Sequence, residues 1–249
     1  QAGLYNVQVV DDNGCTKIDS IIISQPDSIS LSANVIDISC NGLSDGSVSI
    51  SVDNGGTNPF YYSDNNLVSF QASNIFDNLG PGSITISVID QNSCTNKITA
   101  IINEPLLITG SVSTTDASCY DACDGTATAT VVGGTAPYSQ SYLGNNPSSL
   151  CAGLYNLIIT DNNGCQSTVS FTIGEPNPVT VNVWQDGGTL MAESGFISYE
   201  WLDENGNLIS GANSSTFTPL SSGNYFVQVT DSNGCSGTSV AIYFEGTTS

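Results

Sequence analysis

The chain has 249 residues, more than the roughly 100–200 of a typical single domain, so two or more domains are expected. It sets 23 Asp and Glu against two cations, Lys17 and Lys97, with no Arg or His, and the formal net charge of −21 excludes nucleic acid as a partner because phosphate binding needs clustered Lys and Arg. A hydrophobic content of 39% in regular alternation argues against disorder, and no apolar run approaches the ~18 residues of a membrane helix, so direct membrane insertion is not expected.

Taken in chain order, the predicted elements repeat. Residues 1–27 hold an alternating strand (Tyr5, Val7, Val9), the turn Asp11-Asp-Asn-Gly-Cys15 and a second strand. Period-two alternation marks a half-buried strand, so this segment is expected to be the C-terminal strands of a truncated repeat, excerpted from something longer. Residues 28–104 follow Gln25-Pro26. They open with Cys40-Asn-Gly, Asp45-Gly46 and a strict alternation to Val52, continue through Gly55-Gly-Thr-Asn-Pro-Phe60, and close with Ile84, Ile86, Val88 and Asp90-Gln-Asn-Ser-Cys94. Residues 106–175, after Glu104-Pro105, run the same way: Cys119-Tyr-Asp-Ala-Cys123, Asp124-Gly125, an alternation to Val131, Gly133-Gly-Thr-Ala-Pro-Tyr138, then Leu150-Cys-Ala-Gly-Leu-Tyr155, Leu157, Ile159 and Asp161-Asn-Asn-Gly-Cys165. Residues 177–246, after Glu175-Pro176, lack the opening cysteine block but keep Leu220-Ser-Ser-Gly-Asn-Tyr225, Val227, Val229 and Asp231-Ser-Asn-Gly-Cys235. In the Asp-Gly pairs, Asp is expected to bond its own backbone and Gly to accept positive φ.

The closing cysteines at 15, 94, 165 and 235 recur every 79, 71 and 70 residues, a domain-sized period. Each repeat is expected to hold about seven strands, A to G. In the last they are predicted near 179–184, 188–192, 197–202, 207–209, 214–218, 224–230 and 238–244, with Trp201 in the core. Tyr5, Tyr155 and Tyr225, each shortly after a Gly, are similar to the tyrosine corner of immunoglobulin-type sandwiches, and Ile84 takes that place in the repeat between. The expected fold class is therefore all-β, tandem immunoglobulin-like β-sandwich repeats in an elongated rod, with short linkers where Pro stops strand pairing.

The combination of Cys-Asn-Gly, Asp-Gly-Ser, an alternating strand, Gly-Gly-Thr-x-Pro, a Leu-x-x-Gly turn and a closing Asp-x-Asn-Gly-Cys resembles the SprB repeat. The resemblance covers residues 31–179, includes the tail of an earlier repeat at 1–29 and reaches only the second half of 180–246, which is expected to be an immunoglobulin-like or PKD-like unit. It implies a module of a very large extracellular, cell-surface adhesin of gliding bacteria that export proteins by the type IX pathway, used in attachment or gliding.

The chemistry available is narrow. With no His, no Arg and no nucleophile beside a base, the chain is not expected to be an enzyme. Cys119 and Cys123 have no second close pair and no His to complete a zinc site, so the cysteines point to disulfides in an oxidising compartment. Cys123 and Cys151 both fall in turns at the end where the chain leaves the second repeat, which pairs them. Strand F, of about eight residues at ~3.3 Å each, carries Cys165 some 26 Å from Cys119, beyond the ~7 Å that a bridge tolerates between Cα atoms. The opening cysteines are therefore expected to reach the closing cysteine of the following repeat, Cys40 with Cys165 and Cys119 with Cys235, leaving Cys15 and Cys94 for cysteines upstream of residue 1. Calcium is the one cofactor considered, held at the junctions by Asp45, Glu104 and Asp161, and by Asp124, Glu175 and Asp231, as hard oxygen ligands from several loops. The expected partners are neighbouring repeats of the same chain. Surface polysaccharide is an alternative, through Tyr61, Tyr62 and Phe70 or Tyr199 and Trp201, and so are other copies, through the strand edges of residues 1–29.

Overall fold

The computed structural model describes residues 1–65 and 67–246, and every regular element among them is a β-strand. The chain folds as two compact units. One is Gln1–Ile108 with Gly133–Ala136 and Asn162–Cys165; the other is Thr109–Val132, Pro137–Asp161 and Gln166–Ser249.

The first unit opens with a hairpin, β1 (Gly3–Val10) and β2 (Thr16–Ile23), paired over eight residues from Gly3↔Ile23 to Val10↔Thr16. Its turn is closed by Asp11, whose Oδ1 accepts from the N–H groups of Asn13 (3.0 Å) and Cys15 (2.8 Å). Asp90 does the same for Asn92 and Cys94, and Asp231 for Asn233 and Cys235, which is why this motif recurs. The repeat that follows has β3 (Ser30–Ile36), β4 (Gly46–Asn54), β5 (Tyr61–Ser63), β6 (Ile75–Leu79), β7 (Gly82–Ile89) and β8 (Thr95–Ile102). They form two antiparallel sheets, β3-β4-β6 and β5-β7-β8, the A-B-E and C-F-G sheets of an immunoglobulin-like sandwich. The alternation of β4 turns Val48 and Ile50 inward to meet Ile86 and Val88 of β7, and all four are fully buried. Each such side chain contributes about 1.5–3 kcal/mol through burial.

In the second unit the next repeat has β9 (Thr109–Thr115), β10 (Thr126–Val132), β11 (Ser139–Ser141), β12 (Gly153–Thr160) and β13 (Gln166–Ile173), arranged as β10-β9 and β11-β12-β13. Strand E shrinks to a single bridge, Gly125↔Leu150, because Asn145-Asn146-Pro147 turns the chain and Pro147 has no N–H for a ladder. Leu157, Ile159 and Leu150 form its buried centre. The last repeat has β14 (Val183–Asp186), β15 (Thr189–Ala192), β16 (Ser198–Leu202), β17 (Thr216–Phe217), β18 (Gly223–Thr230), β19 (Ser236–Thr238) and β20 (Ile242–Phe244). Here strand G is broken in two. Both pieces pair with β18, and Ser239 spans the gap by exchanging hydrogen bonds with Val227. Trp201 is fully buried beside Phe217, its Nε1 donating to Ser214 O at 2.9 Å.

Two expectations are corrected. The repeats do not each carry seven strands: among the described residues the first complete one has six and the second five, and no strand forms at 207–209. There, Asp203 Oδ1 accepts from the N–H of Asn205 and Asn207 and curls the chain into a turn, leaving only the bridge Leu202↔Leu208. Nor do Gly46 and Gly125 adopt positive φ. They are glycines because a Cβ would lie 2.8 Å and 2.6 Å from the Cγ2 of Ile102 and Ile173, and 3.0 Å from the carbonyl oxygens of Leu79 and Leu150.

The tyrosine corners are present at three places. The hydroxyls of Tyr5, Tyr155 and Tyr225 donate to the carbonyl oxygens of Gln1, Cys151 and Ser221, each four residues earlier, at 2.7, 3.0 and 2.9 Å.

Candidate functional site

The residues that set this chain apart from a plain sandwich lie in its turns. In the A-B turn of the first complete repeat, Asp45 accepts from both the N–H (3.1 Å) and the hydroxyl of Ser39, while Leu43 N–H donates to Cys40 O. Donors supplied by Ser39 hold the Asp45 carboxyl below the usual carboxylate range. Glu104, just before the linker proline, folds back to accept from Gly42 N–H at 3.0 Å, and Asn41 Nδ2 donates to Pro105 O. The next repeat reuses the device. Asp124 accepts from Ser118 N–H at 2.9 Å and is likewise held low by Ser118, and Glu175 accepts from Asp121 N–H at 2.7 Å. Each repeat's linker acid is thus tied to its own A-B turn, which presents the opening cysteine.

Those cysteines are bonded. Cys40 joins Cys165 with Cα atoms 5.6 Å apart, and Cys119 joins Cys235 at 5.5 Å. The local geometry is duplicated, since the sulfurs of Cys165 and Cys235 each lie 3.3 Å from the carbonyl oxygen of Ser39 and Ser118, respectively. A third bridge, Cys123–Cys151, ties the A-B turn of the second repeat to the turn before its strand F. Cys15 and Cys94 are free and exposed, so Cys94 has no partner within its own repeat. In the first unit the turn bearing Cys165 is further fixed by Asn163, whose Nδ2 lies 3.1 Å from Ser39 O and 3.3 Å from Thr135 Oγ1.

Sequence reasoning missed Ser39, Ser118 and Asn163. Ser39 and Ser118 each stand immediately before an opening cysteine, and an Asn stands two residues before each closing one, so the recurrence was there to be read.

The acids named for calcium are placed as follows. Asp45, Glu104, Asp124 and Glu175 accept from the turns just described, Asp231 accepts from Asn233 and Cys235, and Asp161 is buried. Among the described residues no group of three or more His, Cys, Asp or Glu side chains is arranged to hold a metal ion. Of the aromatics considered for polysaccharide, Tyr62 and Trp201 are buried, and the Tyr199 hydroxyl donates to Glu193 O. Tyr61 and Phe70 remain outward, beside Pro59, Ile89 and Gln91, around a shallow depression.

Two segments, residues 32–68 and 111–145, match the family model of the SprB repeat. No curated protein matches the chain. Among solved structures it is similar to the N-terminal eight immunoglobulin domains of Down Syndrome Cell Adhesion Molecule isoform 1.30.30, at 12% identity and a TM-score of 0.31 over 95% of this chain, which spans 40% of that one. It is also similar to a structure that addresses Dscam isoform specificity, at 11% identity and a TM-score of 0.21, covering 97% of this chain and 79% of that one.

Proposed function

We propose, taking as premise that this chain carries two SprB-type repeats, that it is a structural repeat segment of a long secreted cell-surface adhesin. The segment holds an adhesive part away from the cell and carries tension during attachment or gliding. The observation that carries this reading is the pattern of bridges: an A-B turn cysteine of one repeat bonded to the F-G turn cysteine of the following one, twice in succession. A domain that only had to be stable could be closed by a bridge within itself, as Cys123–Cys151 does. Bridges between successive repeats instead put covalent bonds across the places where a pulled array of sandwiches is held only by short linkers. Disulfides also fit an oxidising, extracytoplasmic location.

Antibody raised against the folded chain tests the location. Intact, unpermeabilised cells of the source bacterium are expected to be labelled, and the labelled native polypeptide is expected to run far above 25.8 kDa. Labelling only after lysis would overturn the proposal. Direct contact with surface polysaccharide is a second reading, favoured by the outward Tyr61 and Phe70. If it holds, replacing both by Ala abolishes retention on the polysaccharide while leaving the fold intact.

A further inference from the structure

The hairpin β1-β2 is half of a sandwich. Its eight-residue register, Gly3↔Ile23 to Val10↔Thr16, is the register of β7-β8 (Gly82↔Ile102 to Ile89↔Thr95) and of β12-β13 (Gly153↔Ile173 to Thr160↔Gln166). Position by position, Val7 corresponds to Ile86 and Leu157, and Val9 to Val88 and Ile159. Those four counterparts have no exposed surface, whereas Val7 and Val9 are 53% and 65% exposed. Ile21 and Ile23 on β2 are open in the same way, although their counterparts Ala100, Phe171, Ile102 and Ile173 are buried. In the first complete repeat the sheet β3-β4-β6 supplies the covering side chains, Val48 and Ile50 among them. The apolar face of the hairpin has the shape and chemistry to receive such a sheet and, among the described residues, has none.

Cys94 points to the same occupant independently. It sits in an F-G turn held by Asp90 as the turn of Cys235 is held by Asp231, and both Cys165 and Cys235 are bonded to the opening cysteine of the repeat before theirs. The repeat before that of Cys94 is the one to which the hairpin belongs. We infer that the face of Val7, Val9, Ile21 and Ile23 is covered by the N-terminal half of a SprB-type repeat preceding Gln1 in the same polypeptide, and that the A-B turn cysteine of that half is bonded to Cys94. Bond formation takes two protons and two electrons from the two thiols and passes them to a small-molecule disulfide, which leaves as two thiols. The inference rests on register, burial and bridging pattern, and stands or falls apart from the adhesive reading.

The test supplies the missing half. A copy of residues 28–79, which carries one cysteine, is fused ahead of Gln1 of the full chain, because Gly80-Pro81-Gly82 corresponds to Gln1-Ala2-Gly3. Both chains are refolded with oxidised and reduced glutathione. The unextended chain is expected to titrate two thiols, Cys15 and Cys94, and the extended chain one, Cys15, with the added cysteine mapped to Cys94. Amide exchange along β1 is expected to slow by about tenfold or more on extension, as buried strands open less often than exposed ones. An extension with its cysteine changed to Ser is expected to slow exchange equally while leaving both thiols free. Unchanged exchange in both extended forms, Cys94 bonded to Cys15, or Cys94 bonded to a second copy in a covalent dimer would overturn the inference.

Discussion

Asp45 and Asp124 act as hydrogen-bond acceptors for Ser39 and Ser118 at the mouths of the bridged turns. Because Ser39 and Ser118 lower these carboxyls, the turns gain from the ionised form. A group whose folded value lies below its unfolded one contributes fully above the unfolded value and loses the contribution as pH falls through the folded value. The Ser39 and Ser118 amides are therefore expected to keep their protection, relative to the intrinsic exchange rate at each pH, down to the ordinary carboxylate value of 3.8 and to lose it only below that value. In Asp45→Asn, the Ser39 amide is expected to exchange faster already at neutral pH; hydrogen exchange read by NMR checks both. Tyr225→Phe removes the corner bond to Ser221 O and keeps the ring, so urea unfolding is expected to show a loss of about 0.5–1.5 kcal/mol. At this scale the sequence was most legible where a residue acts on its own neighbourhood. The three tyrosine corners could be read from a Gly two residues before each Tyr, because donor and acceptor are four residues apart. Glu104 folding back onto Gly42 could not, since the two stand 62 residues apart and only the packed sandwich brings them together.

Among the elements, the Gly-Gly-Thr-x-Pro block shows why it is conspicuous. Gly55 and Gly133 both hold positive φ, +74° and +76°, and an added Cβ would come within 2.2 Å of Ser28 O and 2.1 Å of Leu107 O. The following Gly56 and Gly134 donate to Asp27 O and Leu106 O, so each block clasps the segment by which its own repeat begins. Gly133→Ala forces both an unfavourable backbone and a collision, and is expected to cost about 1–3 kcal/mol by chemical denaturation. A surface glycine such as Gly14, with open space around it, serves as the comparison. In the last repeat strands B, C and F were legible because alternation and turn residues are local, whereas strand A begins only at Val183 and strand G is interrupted between Thr238 and Ile242. Strand D was not, because Asn207-Leu208-Ile209 has the composition of a short strand but is claimed by the Asp203 turn. The glycines of Asp45-Gly46 and Asp124-Gly125 were read for their φ, whereas what requires them is the close approach of Ile102 and Ile173, side chains about 50 residues away along the chain.

For the whole molecule, the bridges define a second path through the chain. From Cys40 it crosses to Cys165, runs back fourteen residues to Cys151, crosses to Cys123, runs four residues to Cys119 and crosses to Cys235. This path was accessible to sequence arithmetic because an eight-residue strand F fixes which turns share an end of a sandwich, and that arithmetic needs no side-chain detail. What the sequence did not disclose is how the turns are seated, through Ser39, Ser118 and Asn163, none of which has chemistry that draws attention alone. A pull applied between Cys40 and Cys235 would be routed by these bridges through eighteen residues, most of them β12 and its flanks, instead of the 195 that separate the two cysteines along the chain. Single-molecule extension, with handles placed at Cys40 and Cys235 by neighbouring attachment sites, reads this directly. At about 3.3–3.6 Å per residue, the oxidised chain is expected to stop at roughly 60 Å of backbone plus its bridges however hard it is pulled, and to lengthen to about 650–700 Å only after reductant is added. An oxidised chain that extends by several hundred ångströms in successive unfolding steps would contradict the account.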